Sequence, residues 1–196
     1  MDAPLIGIIV GSTRDGRRGG RVAAWFEAIA RARDDIRCEL LDLLDWDLPW
    51  YRDAVVPPRG QYRDPATLRW AAAIGPIDGF VIVTPEYNHG YPAALKNALD
   101  QLYAEWNHKP VTFVTYGGSA GGVRAAEQLA QVAVELKMAS LRPQVHIPMA
   151  GRIFGRDGPG EPEQRHADAA NVALRELAWW ARVLRAARAE GVPPDR

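Results

Sequence analysis

GFVIV at Gly79–Val83 runs directly into TPEYNHGYPAALKNALD at Thr84–Asp100, and this stretch sets the architecture. The first five residues form a short, continuous apolar run, the pattern of a strand buried on both faces of a parallel sheet. A proline-broken turn follows and presents Pro85, Glu86, Tyr87, Asn88 and His89. Ala94, Leu95, Ala98, Leu99 and Leu102 then recur at helical spacing, with Pro92 expected at the first helical position, where its missing N–H costs nothing. In an open α/β sheet, ligands bind beyond the carboxyl ends of the strands, which is where a loop of this kind lies.

The flanking sequence repeats the alternation. Upstream, Leu5–Val10 (LIGIIV) reads as a buried strand and runs into the loop GSTRDGRRGG. A helical pattern follows with Val22, Trp25, Phe26 and Ile29 on one side. Cys38–Leu44 reads as the second strand, and residues 45–63 as a long aromatic loop. Asp64-Pro65 has the form of an N-cap followed by proline, opening a helix through Ile74. Downstream, the central helix is expected to reach about Trp106. Pro110–Tyr116 is the fourth strand, Gly117–Gly122 (GGSAGG) a loop, and Val123–Met138 a helix. Ser140–Met149 is a fifth apolar segment, placed at an edge by Pro143 and Pro148. A Gly/Pro-rich loop at 150–163 and a long amphipathic helix at about 164–190, carrying Trp179 and Trp180, complete the chain.

Five strands alternating with helices predict a three-layer α/β/α sandwich around a parallel sheet, as one domain over 1–196. Right-handed crossovers allow the order 2-1-3-4-5, which brings the loops at 11–20, 84–91 and 116–122 to one edge. Lys+Arg and Asp+Glu are both 24, a formal net charge of zero that points to neither nucleic acid nor an anionic membrane surface as partner. The single cysteine, Cys38, excludes an internal disulfide and fits a reducing compartment. The apolar run at Leu5–Val10 is too short for a signal peptide, and no stretch is long enough to span a membrane, so a soluble cytoplasmic protein is expected.

The three loops carry different chemistry. Ser12, Thr13, Arg14, Arg17 and Arg18 precede a helix N-terminus, where free N–H groups and the helix dipole favour an anion and arginine adds charge-assisted bonds to phosphate. Neither a Walker A loop nor the G-x-G-x-x-G fingerprint is present, since Arg17-Arg18 follow Gly16 and Thr13 stands at the second glycine. A phosphomonoester fits better than a triphosphate or a pyrophosphate. The central loop offers a planar aromatic and an amide, suited to the face and edge of a flat heteroaromatic ring. The third loop's glycines let backbone approach a ligand closely. His89, His108, His146 and His166 show no paired spacing, so no metal is expected. Ser119 in GGSAGG, with His146 and His166 downstream, keeps a hydrolase as a minor reading. Trp179-Trp180 reads as core or subunit contact.

GSTRDGRRG, PEYNHGYPAALKNALD and the YGGSAGG turn together resemble the NADPH-dependent FMN reductase family of flavodoxin-like proteins, and the resemblance covers roughly residues 5–185. DLPWYRD at 47–53 is similar to a segment the family carries after its second strand. The resemblance implies that Ser12, Arg14 and Arg17, with backbone N–H groups near Gly19, hold the FMN phosphate. It implies that Pro85, Glu86, Tyr87 and Asn88 run along the isoalloxazine, faced by Gly117 and Gly118. Family members carry Ser or Asn around 17–19, so which of Arg17 and Arg18 reaches the phosphate stays open. The implied activity is ping-pong transfer of hydride from NADPH or NADH to FMN and on to a small-molecule acceptor such as free flavin, a quinone, an azo compound or a metal oxyanion. Flavin carries that chemistry, so no protein residue is assigned a catalytic role. A homodimer or homotetramer is implied, with the loop Trp46–Tyr62 as a candidate wall of the neighbour's site. The competing reading is a flavodoxin-like electron carrier without turnover of its own.

Overall fold

The computed structural model describes residues 2–155 and 157–192. The order is β1 (Leu5–Val10), α1 (Gly19–Arg31), β2 (Arg37–Asp42), α2 (Leu43–Trp46), α3 (Pro65–Ile74), β3 (Gly79–Pro85) and α4 (Ala93–Asp100). It continues with β4 (Pro110–Tyr116), α5 (Val123–Glu135), β5 (Ala139–Ser140), β6 (Val145–Ile147), α6 (Ala150–Ile153) and α7 (Gln164–Glu190). All pairings are parallel, in the order β2-β1-β3-β4-β5, with β6 also on β4. The expected flavodoxin-like order is therefore present. Val10 pairs with both Asp42 and Val83, and Pro85 with Tyr116, so the carboxyl ends of four strands finish together.

Side chains alternate across this sheet as the two-residue period of a strand requires. Ile6, Ile8, Val10, Val81, Val83 and Val114 face α1 and α7, packing with Val22, Phe26, Leu174 and Leu177. Ile9, Phe80, Ile82, Val111 and Phe113 face the opposite layer of α3, α4 and α5. Trp46, Trp70, Trp106 and Phe80 run through that layer edge to face, with centroid separations of 4.9, 6.2 and 5.0 Å. The indoles of Trp70 and Trp106 donate to the Ala98 and Leu99 carbonyls at 3.0 and 3.1 Å, so neither buried N–H is left unpaired.

Several boundaries differ from the sequence expectation, each for a local reason. The second strand ends at Asp42, not Leu44, because the Asp42 carboxylate accepts from Leu44 N at 3.1 Å and turns the chain into α2. Pro92 is the N-cap of α4, extended at ψ 143°, rather than its first helical residue. That helix stops at Asp100, short of Trp106, with Gln101 as its C-cap and turns beyond it; the Gln101 side chain donates to the Pro49 carbonyl and accepts from Thr67 Oγ1. The helix after the third loop stops at Glu135, before a left-handed Lys137. The fifth segment is split into β5 and β6. Pro143 lies between the pieces with no N–H to give, and its carbonyl accepts from Thr112 Oγ1 at 2.6 Å. Asp64 caps α3 as expected, accepting from Ala66 N and Thr67 N. Among the described residues, no helix is long and apolar enough to cross a membrane.

At the opposite, amino edge of the sheet, Lys109 is only 4% exposed, and its ammonium donates to the Ile74 and Gly75 carbonyls at 3.0 and 2.8 Å. Burial, with the positive charge of Arg188 adding to it, holds this amine down from an ordinary 10.5 to about 7. Between those values the unfolded chain binds more protons than the folded one, so stability rises with pH from about 7 upward. Urea midpoints measured from pH 7 to 9 are expected to climb more steeply for the wild type than for Lys109→Met. Parallel curves would contradict the assignment. Trp106→Ala is expected to cost about 3–5 kcal/mol in the same assay, since it empties a fully buried site between two aromatic rings.

Candidate functional site

Above the shared carboxyl edge lies a cavity of about 380 Å³, within the range of about 300–1,000 Å³ usual for small-molecule sites. Four segments wall it: the loop after β1, the end of β3, the end of β4 with its glycine turn, and residues 149–152. The sequence pointed to the first three. The fourth carried no recognisable signal, because α6 lies inside what reads as a Gly/Pro-rich loop.

The loop after β1 gives the cavity its charge. Arg14, Arg17 and Arg18 all line it. Arg17 is already committed: its two terminal nitrogens bond the Asp42 carboxylate at 2.8 and 2.6 Å, and one also donates to the Ser12 carbonyl at 2.9 Å. The pair is mostly buried and forms a bidentate brace between the loop and the end of β2. Arg18 differs. Its guanidinium packs over Gly151 and its buried Nε has no acceptor. Arg14 is exposed, with no acidic partner among the described residues. The N-cap of α1, Arg18, supplies no side-chain cap to the helix's first N–H groups, and Arg21 N bonds the Arg18 carbonyl at 3.0 Å.

Ser12 and Gly19 lie beneath this surface rather than on it. Ser12 is fully buried, and its hydroxyl meets the Tyr116 hydroxyl at 3.2 Å. Burial pushes the Tyr116 phenol up to about 12, so it stays protonated and neutral. A Cβ at Gly19 would lie 2.4 Å from Ser12 Oγ and 2.9 Å from the Tyr116 hydroxyl. Glycine is thus required where α1 begins against this pair, and the loop backbone is held close to the strand ends.

The ring-sized side of the cavity is built from Pro85, Glu86, Tyr87, Gly117 and Gly118. Tyr87 and Gly90 exchange backbone bonds at 2.8 and 3.0 Å, with Asn88 and His89 between them at φ 50° and 69°. Two consecutive positive φ values are those of a type I′ turn. The turn carries Asn88 to an exposed tip, away from the cavity lining where the sequence placed it. Glu86 reaches the lining, but its Oε1 accepts from Arg124 Nε at 2.8 Å and also from Arg124 Nη2. Arg124 opposes its charge through Oε1, while the buried Oε2 has no hydrogen-bond partner. Across the cavity, Gly118 leaves open space where a Cβ would project. Gly122, at φ 92°, could not carry a side chain, because a Cβ would fall 2.6 Å from Thr115 Cβ. Met149 N and Ala150 N donate to the Gly118 and Gly117 carbonyls at 2.9 and 3.0 Å, pinning the fourth wall to the third loop. Ser119 is exposed and outside the lining, so no elbow-like nucleophile faces this cavity.

The residues present fit a flavin mononucleotide in charge and shape. An orphaned arginine Nε, an exposed arginine and an uncapped helix start lie at one end, and an aromatic shelf opposite glycines at the other. A wider groove of about 890 Å³ along α1 does not match. Its arginines are used, Arg21 by the Phe154 and Gly155 carbonyls and Arg33 by Asp35.

Residues 4–152 match the family model described as NADPH-dependent FMN reductase. The chain is 39% identical over 178 residues to an NAD(P)H-dependent FMN reductase of Schizosaccharomyces pombe, covering 89% of this chain and 88% of that one. It is 38% identical over 134 residues to a quinone reductase of Escherichia coli, covering 65% and 68% of the two chains. In fold it is similar to the flavoenzyme NAD(P)H:(acceptor) oxidoreductase FerB of Paracoccus denitrificans, with a TM-score of 0.73, 22% identity, and 92% and 98% of the two chains covered. A buried parallel sheet, a basic loop at its carboxyl edge and these sequence matches lead to one assignment: the chain belongs to the NADPH-dependent FMN reductase family of flavodoxin-like oxidoreductases.

Proposed function

We propose that the cavity holds FMN with its phosphate against Arg14, Arg18 and the first N–H groups of α1, and its ring between Pro85–Tyr87 and Gly117–Gly118. The observation that carries this is the orphaned, buried Arg18 Nε beside a bidentate Arg17–Asp42 pair. One of the two arginines is neutralised and the other is not, which favours Arg18 over Arg17 as the phosphate ligand. Bound FMN would supply hydride acceptance from NADPH or NADH and onward electron transfer, in ping-pong order, to a small-molecule acceptor.

The protein's own part is positional. Arg17 and Asp42 fix the loop, Tyr116 and Ser12 set its height above the sheet, and Arg124 holds Glu86 in place. Relatives named as quinone reductases and as an azoreductase favour a quinone or azo compound as acceptor, ahead of free flavin or a metal oxyanion. We take the chain as one domain acting in the cytoplasm as a homodimer or homotetramer. Trp50, 71% exposed within the 46–62 loop, is the aromatic offered to a neighbouring subunit's site.

A paired substitution tests the assignment. Arg18→Ala is expected to weaken FMN at least tenfold and riboflavin less than twofold, because only FMN carries the phosphate and charge-assisted bonds contribute about 1.5–3 kcal/mol. Arg17→Ala is expected to lower urea stability by about 1–3 kcal/mol by stranding the mostly buried Asp42 carboxylate. Equal loss of FMN and riboflavin in Arg18→Ala would contradict the phosphate role. If Arg17→Ala lost FMN affinity at unchanged stability, the two arginines would have to exchange roles.

A further inference from the structure

We propose that Arg152 selects NADPH over NADH by taking the 2′-phosphate of the dinucleotide at the rim of the cavity. This rests on the flavin reading above. Four guanidinium groups line the cavity, from Arg14, Arg17, Arg18 and Arg152. The lining has one carboxylate, Glu86, which is paired with Arg124, and Arg17 is paired with Asp42. Arg14, Arg18 and Arg152 are therefore uncompensated among the described residues. A phosphomonoester carries about 1.5–2 negative charges near neutral pH, which the two arginines of the phosphate loop match. The third cation is surplus to that group.

Its place fits a second anion. Arg152 lies on α6 in the cavity lining, one residue past Gly151, over which Arg18 packs. The two backbone bonds from Met149 and Ala150 to the Gly118 and Gly117 carbonyls hold that segment in register, while Arg152 itself is exposed. With four residues, α6 is too short for its terminus to act as an anion site, so the side chain must supply the interaction. A hydride donor has to lay its nicotinamide on the flavin ring, so its adenosine half must leave over the rim. NADPH and NADH differ only by the 2′-phosphate, and a rim cation not consumed by FMN is what can tell them apart.

The test titrates adenosine 2′,5′-bisphosphate and 5′-AMP calorimetrically into FMN-loaded protein, with KM for NADPH and NADH measured alongside. In the wild type the bisphosphate is expected to bind at least tenfold tighter than 5′-AMP. Arg152→Gln should erase that difference and raise KM for NADPH about tenfold. FMN affinity and KM for NADH should stay within twofold, and Arg152→Lys should keep part of the preference. A wild type without preference, or an Arg152→Gln that keeps it, would overturn the proposal and leave the flavin reading intact. Loss of FMN affinity in Arg152→Gln would also overturn it, by making Arg152 part of the flavin's own phosphate site. A wild type that takes up no FMN would overturn the flavin reading and this proposal together.

Discussion

The bidentate pair between Arg17 and Asp42 is the contact on which the rest of the site depends. Asp42 is the last residue of β2, where its carboxylate also stops the strand by capping α2. Arg17 closes the loop after β1 and bonds the Ser12 carbonyl behind it. One carboxylate thus ends a strand, starts a helix and anchors the anion loop. By removing one arginine from the cavity's balance, the pair leaves its neighbours Arg14 and Arg18 as the loop's unmatched charge. Without it, three adjacent cations would repel one another in a loop rich in glycine, with little to hold its shape.

The sheet supplies the remaining constraint. Ladder register brings Val10, Asp42, Pro85 and Tyr116 to one edge. Order 2-1-3-4-5 puts the crossover reversal between β1 and β3, so the loops after these strands splay to opposite faces and leave a crevice. Tyr116 joins the two sides. It ends β4 beside the glycine turn, and its hydroxyl supports Ser12 under the arginine-bearing loop. Glycine at 19 and at 122 answers the same need at both ends, backbone packed where a Cβ would collide. The tryptophan and phenylalanine stack beneath α3 and α4 keeps the opposite layer from shifting, because every ring is set against the edge of the next.

Much of this was legible in the sequence because it is local. Apolar runs at Leu5–Val10 and Pro110–Tyr116 match the strands residue for residue, and so does the Asp64-Pro65 helix start. The three loops come to one edge because strand order follows from crossover handedness. What the sequence could not convey was pairing at a distance. Arg17 and Arg18 are adjacent and chemically alike, and only Asp42, 25 residues away, separates their roles. The turn that sends Asn88 outward depends on two positive φ values that neither residue announces by itself. Residues 150–152 fall inside a stretch, 150–163, whose glycines and prolines read as loop, so the short α6 and its arginine went unseen.

We propose this cavity as a working flavin site, beyond an anion-binding crevice. The most direct measurement is anaerobic mixing of the FMN-loaded protein with NADPH, and separately NADH, while the flavin's visible absorption is followed. Rapid bleaching is expected, with the flavin band restored when a quinone is added. A flavin band that persists with both nucleotides would contradict it and leave a flavin carrier in its place.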